Sequence, residues 1–303
     1  MLICLHVGAH ETASGYIRAR LMAERERIAA RKVGVVAPRF YRAKVSEPLD
    51  AAGRDAYAKA KPGISRYLAR MVALHAGQDR LILPDETLAG AALPPSAPGG
   101  LYADIRARLA VVLGAAPRGH EVEVLFCVRS YEAFFNSLHV LRAERRSAHD
   151  IEAFRERALG IDRGWADVVA DISSVAGAER TVVWTYEDLV AQPTCVSRAL
   201  LGEAAPKVFL KSEGAFLPSV SRKGYAVLDR AADMLSPTER VGVAGAVSRL
   251  AFDPPDEPFS LFDADESAAF AARYRRDLAD IAASGCRLVT RDAAPEAVST
   301  SAA

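Results

Sequence analysis

The chain has 303 residues, half of them hydrophobic and a quarter charged, with 39 basic and 38 acidic side chains. That is enough apolar material for a large buried core. A net charge of +1 excludes bulk electrostatic attraction to nucleic acid or to an anionic membrane, so any anion site must be built locally.

The first apolar run, Leu2–Val7, has no basic residues before it and is too short for a signal peptide or a spanning helix, and no later run is long enough to span. It leads into a turn, Gly8 to Gly15, and then into a helical pattern over 14–31 marked by Ile17, Leu21 and Ile28. Further apolar runs follow at Val33–Ala37, Leu81–Leu83, Val122–Val128 and Thr181–Thr185. Most lack period-two alternation, as expected of strands covered on both faces. Between them, 101–114, 131–144 and 150–176 have helical spacing, and 39–66 reads as loops and helical inserts. Strands alternating with helices imply an α/β fold with a mostly parallel central sheet of about five strands flanked by helices.

After Asp188 the strand signal ends. Residues 193–202, 221–235, 238–250 and 264–284 read as helices, and Asp253-Pro254-Pro255-Asp256-Glu257-Pro258 as a loop. The Ala/Ser/Thr-rich residues 291–303 are expected to be disordered. The expected organisation is one domain over 1–290, with an α/β core (1–190) and a helical C-terminal part (191–290). The four cysteines are far apart, and Cys4 and Cys127 lie in apolar runs, so buried thiols and a reducing cytoplasmic setting are expected. No metal-ligand spacing and no internal repeat are visible.

Strand, short turn, helix is where ligands bind in open α/β sheets, outside the carboxyl ends of the strands. Gly8, Ala9, His10, Glu11, Thr12, Ala13, Ser14 and Gly15 can present backbone N–H groups. The helix starting near Ser14 adds its positive end, and Thr12 and Ser14 add hydroxyls. The pattern GxxxxGK[ST] is absent: counting from Gly8, its Gly-Lys falls on Ala13-Ser14. Ordinary ATP or GTP hydrolysis is therefore disfavoured. The same residues also suit a plain connection, with Thr12 or Ser14 as N-cap.

The stretch Leu5-His6-Val7-Gly8-Ala9-His10-Glu11-Thr12-Ala13-Ser14-Gly15 resembles the phosphosulfate-binding loop of the sulfotransferase family, bacterial and carbohydrate-type members in particular. Further stretches follow in the family's order. Leu125 to Ser137 resembles the 3′-phosphate motif, with Arg129 closing a strand and Ser137 eight residues on. Leu81-Ile82-Leu83-Pro84-Asp85-Glu86 resembles the third strand, and Trp184-Thr185-Tyr186-Glu187-Asp188-Leu189 a structural segment. Ser219-Val220-Ser221-Arg222-Lys223-Gly224 resembles either a helix start or an Arg-Lys-Gly nucleotide-binding loop. The resemblance implies a P-loop-type fold, the donor 3′-phosphoadenosine 5′-phosphosulfate with 3′,5′-bisphosphoadenosine as product, and a hydroxylated acceptor, carbohydrate among the candidates. It places the donor on residues 8–15, Arg129, Ser137 and Arg222 to Gly224. Transfer would be in line, with Glu86 as first candidate for the base and His10 as second. His75 and His139 are expected on helix surfaces.

Glu11 stands where the family has a lysine. A carboxylate about 4 Å from an anionic donor would repel it by about 4 kcal/mol at an effective dielectric near 20. Three outcomes stay open. Glu11 can turn outward while Arg18, Arg222 or Lys223 supplies the charge; it can be protonated or meet a less anionic ligand; or the fold persists as a binding or scaffold module. Another phosphate-handling α/β enzyme is a further alternative.

Overall fold

The computed structural model describes residues 1–93, 100–145, 151–206, 209–210, 220–231, 234–247, 250 and 256–290. The proline loop at 253–255, Ser219 and the tail 291–303 lie outside the described residues. In chain order the elements are β1 (Leu2–His6), α1 (Ser14–Ala23), α2 (Arg25–Ala29), β2 (Val33–Val35), α3 (Pro38–Lys44), α4 (Ser46–Ala52), α5 (Tyr57–Leu74), β3 (Arg80–Pro84), α6 (Ile105–Leu113), β4 (Glu121–Val128) and α7 (Tyr131–Arg145). Then come α8 (Ile151–Leu159), α9 (Trp165–Ala176), β5 (Thr181–Thr185), α10 (Tyr186–Ala191), α11 (Pro193–Leu201), α12 (Arg222–Ala231), α13 (Pro237–Val247), α14 (Ala264–Ala283) and β6 (Arg287–Val289).

All five apolar runs become strands, and their lack of alternation has the expected cause. Ile3 and Leu5 of β1 face one apolar layer with Ile64, Leu68, Ile105, Leu109, Val168 and Ile172. Cys4 faces the other, with Ile17, Leu21, Ile28, Val196 and Leu200. Cys4 and Cys127 are fully buried, as expected, and all four cysteines are free. The sheet is parallel throughout, in the order β2-β3-β1-β4-β5-β6. β1 thus lies between β3 and β4: the chain leaves it for the edge strand β2, returns to β3, and then crosses to β4 and winds outward through β5 and β6. The crevice at the carboxyl ends of β1 and β4 is the switch point where such sheets bind ligands.

Several expectations are corrected. The sheet has six strands: β6, three residues beginning with Arg287, pairs with β5 and was too short and too charged to read as a strand. The C-terminal third is therefore not wholly helical. Residues 39–66 are mostly helix, and Pro62 and Gly63 lie inside α5, where they weaken its pattern. The span 150–176 is two helices, α8 and α9. Before α9, a Cβ on Gly164 would lie 2.4 Å from Tyr131 Oη and 2.6 Å from an Asp277 carboxylate oxygen, so nothing larger than glycine fits. There the Tyr131 hydroxyl donates to Asp277, and the Trp165 N–H reaches both groups at 2.8 and 2.9 Å. This buried joint ties α14 to α7 and α9. His139 is not on a helix surface: it is fully buried, its Nε2 2.8 Å from the Tyr225 hydroxyl, with Phe154 and Phe259 against its ring. No described helix is long and apolar enough to cross a membrane.

Candidate functional site

The turn after β1 is clamped to the end of β4. Val7 and Gly8 donate from their backbone N–H groups to Leu125 O (3.0 and 3.3 Å), and Ala9 donates to Cys127 O (3.2 Å). Gly8 has φ +53°, and a Cβ there would lie 2.6 Å from Ser14 Oγ. Only glycine lets strand and helix approach so closely. The hydroxyls expected to cap α1 do something else. Thr12 Oγ1 and Ser14 Oγ both donate to Ala9 O, at 2.7 and 3.4 Å, and the N-cap is Ala13, with no side-chain cap.

Glu11 (φ 57°) and Ala13 (φ 62°) are both left-handed, a conformation that costs an L-residue roughly 1–2 kcal/mol. Such strain persists only where the surroundings impose it, and it clusters at ligand sites. Its effect here is on the backbone donors. Among the described residues, the N–H groups of Thr12, Ala13, Ser14 and Gly15 have no hydrogen-bond partner. Thr12 and Ser14 are buried, and a buried, unmade amide bond is costly. Consecutive free amides at a helix start form an anion cradle.

Arg129, at the end of β4, joins this turn from the other side of the switch point. Its Nη1 donates to Glu11 O at 2.6 Å, and its guanidinium lies 4.3 Å from the centre of the Tyr186 ring. The residue is only 7% exposed, its Nε is buried without a partner, and no carboxylate among the described residues lies within ion-pair distance. Two more buried nitrogens lack partners close by: His6 Nε2 and Trp184 Nε1, whose rings stack at 5.6 Å. Burial lowers His6 to about 4, a value at which its ring is neutral near pH 7. Its Nε2 lies 3.6 Å from where a Gly8 Cβ would be.

Burial raises the phenol pKa of Tyr102 and Tyr186, and the nearby Glu11 carboxylate contributes to both shifts. The expectation that Glu86 acts as the base meets a difficulty in the surrounding charges. Arg18 Nη1 lies 2.9 and 2.8 Å from its two oxygens, and Arg42 Nη2 lies 2.9 Å from Oε1. Burial alone would raise Glu86, but its own backbone N–H and these two guanidinium groups hold it at about 2. A carboxylate so stabilised is a poor proton acceptor near pH 7. His10 is better placed: its Nδ1 is 2.9 Å from the Tyr102 hydroxyl, which also accepts from the His10 backbone N–H at 2.8 Å.

Ser137 is half-buried on α7, two turns beyond Ser130. Arg222, Lys223 and Gly224 open helix α12, not a loop. Arg222 pairs with Glu257 at 2.6 Å, the Lys223 N–H donates to Asp256, and Gly224 packs where a Cβ would be 2.9 Å from Val247. The structure thus brings together residues 8–15 and Arg129, and builds 222–224 into the α12–α13 pair. Tyr186 and Tyr102, the direct neighbours of Arg129 and His10, were missed in the sequence. Tyr186 reads there as part of a structural segment, and Tyr102 as an ordinary residue of a helical run.

No protein-family model matches the sequence, and no curated relative does. Among solved structures, the chain is similar to a sulfotransferase from Alicyclobacillus acidocaldarius at 13% identity and a TM-score of 0.40, over 83% of this chain and 97% of that one. A likeness at that level decides nothing about activity.

Proposed function

We propose that the protein binds 3′-phosphoadenosine 5′-phosphosulfate and transfers its sulfonate to a hydroxyl acceptor, carbohydrates being one candidate class. One observation carries this reading: four consecutive unpartnered amides, Thr12 to Gly15, share a switch point with a buried arginine whose Nε lacks a partner. Donors without acceptors, at two points around one crevice, suit a ligand with two separate anionic groups.

In this reading the amides of residues 12–15 and the positive end of α1 hold the phosphosulfate, and Arg129 with Ser137 holds the 3′-phosphate. When bound, the donor supplies the sulfonate and departs as 3′,5′-bisphosphoadenosine. Tyr102 fixes the His10 ring through Nδ1, and in this reading Nε2 takes the acceptor's hydroxyl proton. That role requires the tautomer protonated at Nδ1. The amides, already aligned by strained backbone, need no reorganisation to stabilise charge on the oxygens they bind.

Calorimetry with 3′,5′-bisphosphoadenosine tests the site. Wild type should bind, and Arg129→Ala should bind at least about tenfold more weakly, a loss of about 1.4 kcal/mol. No heat from wild type at millimolar nucleotide removes the reading. Glu11 favours a second one, a donor-fold module that binds without transferring. Sulfonate transfer to an acceptor panel separates the two: transfer by wild type supports the enzyme, whereas transfer only by Glu11→Lys supports the module. Magnesium-dependent ATP turnover would point to a different phosphate-handling enzyme.

A further inference from the structure

Glu86 is held by two arginines that differ in how firmly they are placed. Arg42 is anchored by a hydrogen bond from Nε to Asp85 Oδ1 at 2.7 Å, and its Nη2 makes an ion-pair contact with Glu86 at 2.9 Å. Asp85 is itself buried and also accepts from Ser46 Oγ and from the Thr87 N–H and hydroxyl. Arg18 holds the same Glu86 through Nη1, and no second carboxylate among the described residues pairs with it. It is about a quarter exposed.

Arg18 also lies beside the cradle. It sits four residues after Ser14 on α1, so the two share a helix face. Helical side chains lean toward the N-terminus, and Arg18 follows the rule: its Nη2 is 3.9 Å from where a Gly15 Cβ would be. The guanidinium therefore borders the start of α1, where the Ser14 and Gly15 N–H groups have no partner, while its other nitrogen stays on Glu86.

We propose that Arg18 is the exchangeable cation of this loop. It releases Glu86 for the 5′-anionic group of the ligand, and Arg42 keeps Glu86 neutralised after the exchange. The proposal rests on the donor site argued above. It explains how a loop carrying Glu11 still receives a positive charge, and why one carboxylate is paired with two arginines. In the ligand-free protein Glu86 holds Arg18 in place. On binding, Arg18 trades a carboxylate already shared with Arg42 for a phosphate it can grip with two N–H groups.

The test is calorimetry with two probes, 3′,5′-bisphosphoadenosine and adenosine 3′-monophosphate, the second lacking the 5′ group. Arg18→Gln should weaken the bisphosphate at least tenfold and leave the 3′-monophosphate within about twofold. Arg18→Lys, which keeps the charge, should recover most of the loss. Glu86→Gln should tighten the bisphosphate in the wild-type background, because Arg18 no longer has to be withdrawn, and should have no effect in Arg18→Gln. Circular dichroism melts confirm that each variant is folded. Wild-type-like bisphosphate affinity in Arg18→Gln, or equal losses for both probes, overturns the assignment while leaving the donor site intact. No binding of either probe by wild type overturns the donor site and this assignment with it.

Discussion

Arg129→Met should leave the unliganded protein about as stable as wild type while weakening nucleotide binding at least about tenfold. The guanidinium is 7% exposed and lies within ion-pair distance of no carboxylate among the described residues. Burying an unpaired cation costs several kcal/mol even after relaxation. Two contacts offset this: the 2.6 Å bond to Glu11 O, about 1.5–3 kcal/mol for a charged donor, and the stack on Tyr186, up to about 2 kcal/mol. Gain and loss nearly cancel, so the variant's unfolding free energy in urea should fall within about 1 kcal/mol of wild type or above it. Ligand changes the comparison. At a hundred times its dissociation constant, bisphosphoadenosine stabilises wild type by about 2.7 kcal/mol, a rise of about 5 °C for a chain of this size. Arg129→Met, binding at least about tenfold more weakly, should show no more than about half that rise. A loss of about 3–5 kcal/mol without ligand, the amount typical of a broken buried pair, would show the arginine to be a structural strut and refute the reasoning.

Three further predictions concern this loop and the strand that leads into it. Gly8→Ala must adopt φ +53° and place a Cβ 2.6 Å from Ser14 Oγ; it should lose about 2 kcal/mol or more together with nucleotide affinity, and unchanged melting and binding would contradict the packing described. Glu11→Lys removes a carboxylate that also acts on Tyr102 and Tyr186; it should tighten 3′,5′-bisphosphoadenosine about tenfold or more, and equal or weaker binding by calorimetry counts against an anion at this turn. His6 is lowered by burial to about 4 from 6.5. Its unfolded form therefore binds a proton that the folded form refuses: stability is fully present above pH 6.5 and falls, by roughly 3 kcal/mol, as pH drops toward 4. His6→Phe should flatten that part of the stability curve, and an equally steep fall in the variant would locate the titration elsewhere.

Much of the architecture was legible because parallel strands covered on both faces must be apolar throughout, and Leu2–His6, Glu121–Val128 and Thr181–Thr185 are nearly so. β6 was hidden because it is short and begins with a charge, and α5 because it contains Pro62. At the candidate site, Gly8 was readable from a local rule, a glycine where a strand turns into a helix, whereas Arg129 was singled out by the resemblance of Leu125 to Ser137 to a family motif. Partners distant in the chain were not. That Glu86 is held by arginines 68 and 44 residues earlier, and that His10 leans on Tyr102, follow from which strand lies beside which. The hydroxyls of Thr12 and Ser14 turn inward to Ala9 because two residues of the loop are left-handed, a conformation side-chain chemistry did not signal at Glu11 or Ala13.

The most direct measurement is a crystal structure of the protein soaked with 3′,5′-bisphosphoadenosine. The 5′-phosphate is expected on the N–H groups of Thr12 to Gly15, with the 3′-phosphate on Arg129 and Ser137. A nucleotide bound elsewhere, or a loop left bare at saturating concentration while Arg129 stays on the Glu11 carbonyl, would contradict the anion site at the mouth of β1 and β4.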